Sequence, residues 1–490
     1  WKQRPCKETS RRRRWDVMNH KLAHAPRGLV ILIVLWAIAI AAIVTSAVQL
    51  HSFRQAMLGR ESLERIQARW AARSGIEDTI AVMTDMTERP VPDDAKAIYL
   101  EMEKVAQGDT LNASYDIRHQ TDGRDYLGPM DEQSKLNINR LGATYLMVDD
   151  EVTPDQVDAL RDWMDQDDQV STFGVESDWY QSRVPPYEAR NGNLLSITEL
   201  EMVAGIAPEY ARGEDFNGNN RLDPNENDGD LTAPPDNRDG QLQYGYEGYM
   251  SAFSYGGGGA TDSGQPRIYV AKATADELTE RLKIDQKQAE AIISMFKTAG
   301  ASLDQLYTQQ LGQTTAPTSI NPGQTNNQNQ SQTQSENQNQ NQNSSGKGSS
   351  NSSAGATSPL TAEQIVAATN ELTTQPLYER QFGKININTV SADLLRKIFE
   401  FRRMDESLAD ELLYLRDAKP TGITDLADFR KIGDLSDQDY RSLIDLFCTK
   451  SNVFTISSRG RSWGSGMEVE IIVTVDRSTI PVQILEYREQ

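Results

Sequence analysis

The sequence predicts an α+β fold in which a large all-α region is inserted into an antiparallel sheet, behind one transmembrane helix near the N-terminus. Three observations predict it. Residues 28–48 read GLVILIVLWAIAIAAIVTSAV, 21 residues without a charge. Strand-like alternation occurs near residues 113–127 and returns after residue 452. Between them, the near copies KLNIN (residues 135–139) and KININ (residues 384–388) each open a helical stretch. Strands that bracket a helical middle define a sheet interrupted by an insert.

The apolar run is long enough to cross a hydrocarbon core of roughly 30 Å as a helix. Residues 1–28 carry nine Lys and Arg, including Arg11, Arg12, Arg13 and Arg14, against Glu8 and Asp16. The positive-inside rule places that side in the cytoplasm and the bulk of the chain outside it. A cleaved signal peptide is a rival, but its apolar core usually runs ~7–15 residues. Here the run is longer, and a helical pattern continues to Met83. A plain signal anchor stays open from the segment alone.

The whole chain has a net charge of -21, and because the leader is basic, everything after it is strongly acidic. Such a surface repels phosphate backbones and suits divalent cations or basic partners. Cys6 and Cys448 fall on opposite sides of the span, so they supply neither a disulfide framework nor a zinc site. Of four histidines only His119 lies in the body. No nucleophile–base set or phosphate loop appears, and no enzyme is expected.

Residues 49–88 alternate charged and apolar side chains with helical period, suited to packing one face on a sheet, until Pro90 and Pro92 end the pattern. Thr121, Asp122 and Gly123 sit between two strand-like stretches as a hairpin turn. Residues 314–358, with runs such as NQNQNQN, have too few apolar side chains to offset ordering and read as a disordered linker or insertion. The resulting segments are a basic leader 1–28, the membrane helix and its extension 29–88, the first part of the sheet domain 89–134, a first helical half 135–312, the linker 313–359, a second helical half 360–450, and terminal strands 451–490.

Asn-x-Asn before a helix caps backbone N–H groups and fixes the turn. The stretch ININTVSADLL resembles helix-hairpin-helix segments, many of which bind DNA phosphates. Those use a Gly-rich hairpin, whereas Phe401 to Ser407 contains no Gly, so the anion-binding nest is missing. A packed SAM-like helical module is the reading preferred over DNA binding.

The junction Arg27-Gly28-Leu29 resembles the processing site of type IV prepilin-like proteins, cut after the Gly and followed by methylation. Most of that family carry Glu at the fifth mature position; here Ile33 stands there. With KLNIN, Asp162-Trp163-Met164-Asp165, Asp178-Trp179-Tyr180, Pro185-Pro186-Tyr187, Leu195 to Leu200, KININT and the terminal strands in order, the chain resembles the large minor pseudopilins, protein K, of type II secretion systems. The resemblance implies a pilin-like helix and sheet with an inserted domain of two SAM-like halves. It also implies a place at the tip of a periplasmic pseudopilus, anchored in the inner membrane. The implied partners are minor pseudopilins resembling proteins I and J, other pseudopilus subunits, and prepilin peptidase acting at Gly28 and Leu29. A Glu at position five normally meets the neighbour's N-terminal amine. Ile33 and a bulky head both fit a cap. The other reading is a membrane-anchored DNA receptor using the helix-hairpin-helix-like segment.

Residues 215–226 fit an EF-hand-type loop. Asp215, Asn217 and Asn219 occupy positions 1, 3 and 5, Arg221 offers its carbonyl at 7, Asp223 is at 9 and Glu226 at 12. Asn220 replaces the usual Gly but tolerates left-handed backbone. Structural Ca2+ is expected there, and a solvated acidic loop is the alternative. Pro208 and the Pro234-Pro235 pair restrict flanking helices. The resemblance also implies calcium in the helical domain. Asp165, Asp167 and Asp168 form a second acidic group that an exposed helix end explains equally well.

Overall fold

The computed structural model describes residues 27–149, 151–232, 235–256, 261, 265–297, 301–308, 358–376, 381–433 and 435–490. The basic leader as far as residue 26, including Cys6, and the Asn/Gln tract between 309 and 357 lie outside the described residues. Two compact units are present, Trp1–Glu64 and Arg65–Gln490.

Helix α1 (Arg27–Glu88) starts at the Gly28 junction and stops just before Pro90. In the first unit its apolar side chains from Leu29 to Val48 are exposed, and Thr45 Oγ1 donates to the Ala41 carbonyl at 2.7 Å, within the helix. In the second unit Ala68, Ala71, Ala72, Ile76 and Met83 are buried against the sheet. After α2 (Ala97–Lys104) come β1 (Gln107–Thr110), β2 (Ala113–Thr121), β3 (Arg124–Leu127) and β4 (Met130–Asp131). Asp122 and Gly123, with φ of 50° and 67°, form the two-residue turn between β2 and β3.

The helical region follows β4. Its first module runs through β5 (Leu136–Asn137), α3 (Ile138–Leu141), α4 (Pro154–Met164), α5 (Ser177–Gln181), α6 (Pro208–Arg212), α7 (Tyr246–Tyr249) and β6 (Met250–Ser251). A second, after β7 (Tyr255–Gly256), comprises β8 (Ile268–Tyr269), α8 (Ala275–Leu282), α9 (Gln286–Phe296), α10 (Ala362–Glu371) and β9 (Leu372–Thr373). After β10 (Gln381–Phe382), which pairs with β7, a third comprises β11 (Ile385–Asn386), α11 (Ala392–Phe401), α12 (Glu406–Ala418), α13 (Asp437–Leu446) and β12 (Phe447–Cys448). Each module is closed by a short parallel pair: β5 with β6, β8 with β9, β11 with β12.

The expected division into halves 135–312 and 360–450 is therefore corrected. Leu360, Ile365, Ala368 and Leu372 pack with Ile268, Leu278, Ile292 and Leu306, so described residues on both sides of the tract expected to link two halves share one core, that of the middle module. The first and third modules share one core instead. Their asparagines are equivalent. Asn139 Oδ1 accepts the Leu194 N–H at 2.8 Å, and Asn388 Oδ1 accepts the Ile423 N–H at 2.7 Å.

The chain returns as β13 (Val453–Ser462), β14 (Glu468–Asp476) and β15 (Gln483–Glu489), giving the antiparallel order β1-β2-β13-β14-β15, with β3 on β2 and β4 on β13. Phe454, Ile456, Val469, Ile471, Val473 and Val475 face α1. Thr455, Ser457, Glu470 and Thr474 on the opposite face are also buried, because the insert covers it.

Close approach sets the helix–sheet spacing. A Cβ at Gly460 would lie 1.8 Å from the Ala68 carbonyl oxygen and 2.7 Å from the Ala72 nitrogen. Gly460→Ala must push the helix off β13. It should destabilise the protein by about 1–3 kcal/mol in chemical denaturation of the purified chain, while Gly59→Ala, with nothing within 4 Å, should leave it unchanged or better.

Candidate functional site

The 215–226 loop follows α6 and ends in a 3-10 turn at Pro224–Glu226. It has no pair of flanking helices; Pro208 begins the short helix before it. Its backbone is wound around Asp215. The buried Asp215 carboxylate accepts the Asn219 N–H at 3.0 Å and the Asn220 N–H at 2.8 Å. Asn220 has φ 58°, the left-handed turn that position 6 requires. Asn217 Oδ1 accepts the Asn219 N–H at 3.1 Å, and Asn219 Oδ1 accepts the Arg221 N–H at 2.7 Å. Glu226 closes the loop by accepting the Phe216 N–H at 3.1 Å and the Asp223 N–H at 2.9 Å. Both asparagine Nδ2 groups donate to Asp223 Oδ2 at 2.8 Å.

The five side chains expected as ligands are therefore held together by hydrogen bonds within the loop. Arg221, expected to act through its carbonyl, sends its guanidinium to Asp116 on the sheet at 3.0 Å. Burial pushes the Asp215 carboxyl up to about 6. Burial, with Asp215 and Asp223 adding, pushes Glu226 up to about 8. Burial works upward on Asp223 too, but the Arg459 guanidinium holds it below the usual carboxylate value. Carboxylates crowded this way in a dry loop suit a hard dication.

The second acidic group gains a member that the sequence reading missed. Oxygens of Asp165, Asp167 and Glu176 lie within 4.8 Å of one another. Glu176 is 7% exposed, and among the described residues neither of its carboxylate oxygens has a hydrogen-bond partner; Asp165 Oδ1 also lacks one there. The segment is folded back on α4 by Asp162, which accepts the Ser171 N–H at 3.0 Å, and by Asp158, which accepts the Phe173 N–H at 3.2 Å. Asp168 lines the adjoining cleft with Glu176 and Trp179. Burial, then Asp162 and Asp165, pushes Glu176 up to about 7. Unpaired buried carboxylates are costly unless protonated or bound to a cation, so this donor set fits a metal. Glu176 follows Asp165 at no recognised ligand spacing, so only the fold reveals it.

The helix-hairpin-helix-like turn offers no phosphate site. Arg403 takes φ 56° where such hairpins use Gly. The start of α12 is occupied by its own Asp405, which accepts the Ser407 N–H at 2.9 Å.

Among the described residues one helix is long and apolar enough to cross a membrane; with a helix-on-sheet body and a helical insert, this fits a membrane-anchored α+β protein. Residues 128–213 match the family model described as type II secretion system (T2SS), protein K. Type II secretion system protein K of Klebsiella pneumoniae is 26% identical over 212 residues, 39% of this chain and 60% of that protein. Its counterpart from Aeromonas hydrophila is 41% identical over 69 residues, 14% of this chain and 21% of that protein. The matched part thus spans 60% or less of either relative's length. A chain in the crystal structure of the GspK–GspI–GspJ complex from the enterotoxigenic Escherichia coli type 2 secretion system is 12% identical, with TM-score 0.44, covering 88% of this chain and 99% of that one. The chain is similar to type II secretion protein K.

The raised carboxyls fix a pH dependence. Each binds its proton more tightly folded than unfolded, so metal-free stability falls as pH rises from about 4.5, the ordinary Glu value, through about 8. Melting in a chelator should therefore fall from pH 5 to pH 8. Calcium should restore it at pH 8 and release protons near neutrality in a calorimetric titration.

Proposed function

We propose that this chain is a minor pseudopilin that caps the tip of a type II secretion pseudopilus and so supports protein export across the outer membrane. It is a structural part, neither enzyme nor nucleic-acid binder. The observation that carries the reading is that one helix, Arg27–Glu88, holds both the uncharged segment and the face packed on the sheet. The family match over residues 128–213 supports it from the insert side. In this reading the helix is a single inner-membrane span with a cytoplasmic N-terminus and a periplasmic body. Prepilin peptidase cuts between Gly28 and Leu29, and methylation follows. Ile33 offers no carboxylate to a neighbour's amine, and the helical insert blocks subunits above it. Its partners are pseudopilins resembling proteins I and J and the subunits below. The insert's modules are SAM-like.

We also propose structural Ca2+. Asp215, Asn217, Asn219, the Arg221 carbonyl, Asp223 and Glu226 would hold one ion, and Asp165, Asp167 and Glu176 another. Bound cations would supply positive charge to the buried carboxylates of Asp215, Glu226 and Glu176. The loop's own hydrogen bonds then serve to keep the donors in place.

In a strain lacking this gene, exported substrates of the secretion system should accumulate in the periplasm, and the full chain should restore export. Proteins resembling I and J should co-purify with it from solubilised membranes. Export at the parental level in the deletion strain would contradict the reading.

A further inference from the structure

The 215–226 loop is tied to the sheet face opposite α1 by its own Arg221 and by Arg459 and Glu470, which are distant in sequence. Arg221 donates to the Asp116 carboxylate at 3.0 Å, the Asp116 carbonyl at 2.8 Å and the Ser457 carbonyl at 3.0 Å. Arg459, on β13, donates from one nitrogen to Asp223 Oδ1 at 2.7 Å and to Glu470 Oε2 at 3.1 Å. Glu470, on β14, is 6% exposed. Its Oε1 accepts the Ser457 hydroxyl at 2.7 Å and lies 3.4 Å from Arg221 Nε. Its Oε2 also accepts Asn219 Nδ2 at 2.9 Å.

This arrangement poses a charge conflict. A guanidinium and a divalent cation compete for the same carboxylates, and Arg459 already holds one oxygen of Asp223. The buried Arg221 and the half-buried Arg459 beside a cation loop should weaken it by repulsion, unless a further anion holds them. Glu470 contacts both. It also fixes the Asn219 amide. With Nδ2 between Glu470 and Asp223, and Oδ1 on the Arg221 N–H, the reversed amide would set donor against donor.

We propose that Glu470 is a positioning residue for a divalent cation in the 215–226 loop: it balances Arg221 and Arg459 so that they do not neutralise the loop's carboxylates, and it sets the Asn219 amide. The inference rests on the calcium reading of this loop. A sheet residue about 250 positions away thereby sets the loop's affinity, and cation binding is coupled to docking of the insert on the sheet.

The test is calorimetric titration of the full chain in detergent with Ca2+, after chelation. Glu470→Gln keeps the shape and removes the charge. It should weaken the loop's binding event about tenfold or more, the scale of outer-shell effects on metal sites. Arg459→Met alone should not weaken it. The double variant Glu470→Gln/Arg459→Met should recover most of the lost affinity, a rescue that a merely structural glutamate would not show. Melting in chelator checks that each variant folds. Asp215→Asn identifies the loop's binding event by removing it. Unchanged affinity in Glu470→Gln, or equal losses in the single and double variants, would overturn the inference and leave the loop as a cation site. A titration unaltered by Asp215→Asn would instead remove the loop as a cation site, and the inference with it.

Discussion

One buried carboxylate holds the junction on which the architecture depends. Asp131 ends β4, where the chain leaves the sheet for the insert, and it is 5% exposed. It accepts the Ser451 hydroxyl at 2.7 Å, where the chain returns, and the Thr389 hydroxyl at 2.5 Å from the third module. Tyr99 of α2 donates at 2.9 Å and the Gln133 N–H at 2.8 Å. Burial pushes its carboxyl above the usual range, and the hydroxyl and amide donors pull it back. Removing it would leave several buried donors unsatisfied, each costing about 1–3 kcal/mol. Exit, return and flanking helix are therefore fixed at one point, and the insert leaves the sheet pairing intact.

The insert in turn changes the sheet. An antiparallel sheet with one wet face shows polar residues that stay exposed. Here Thr455, Ser457, Glu470 and Thr474 are polar and buried. They face the insert, and Glu132 extends the contact by accepting the Thr455 hydroxyl at 2.6 Å and the Ser251 hydroxyl at 2.6 Å. Satisfied buried polar contacts of this kind specify one docking arrangement more than they add stability. The acidic loops sit on the insert side of this interface, which explains how so much negative charge is accommodated close to a packed body.

Much of this was legible in the sequence where local chemistry decides it. The helix end before Pro90, the Asp122-Gly123 turn, the Asn137 cap of KLNIN and the left-handed Asn220 each follow from the residue's own backbone preference, whereas Ser391, not an asparagine of KININ, caps α11. The middle module was not legible, because Tyr269 replaces the asparagine signature and the Asn/Gln tract separates α9 from α10. A signal did exist: Thr274-Ala275-Asp276-Glu277-Leu278 parallels Ser391-Ala392-Asp393-Leu394-Leu395 at equivalent helix starts. Glu176, Arg459 and Glu470 join their sites only through tertiary packing. Spacing could not have found them.

The central proposal is that a peptidase-processed helix, uncharged from Gly28 to Val48, carries this body as a pseudopilus subunit. The most direct measurement is the N-terminus of the mature protein, by mass spectrometry from cells with and without prepilin peptidase. The account predicts a start at Leu29 only where the peptidase is present. The same uncut N-terminus in both strains would contradict it and make the chain a permanent signal-anchored protein.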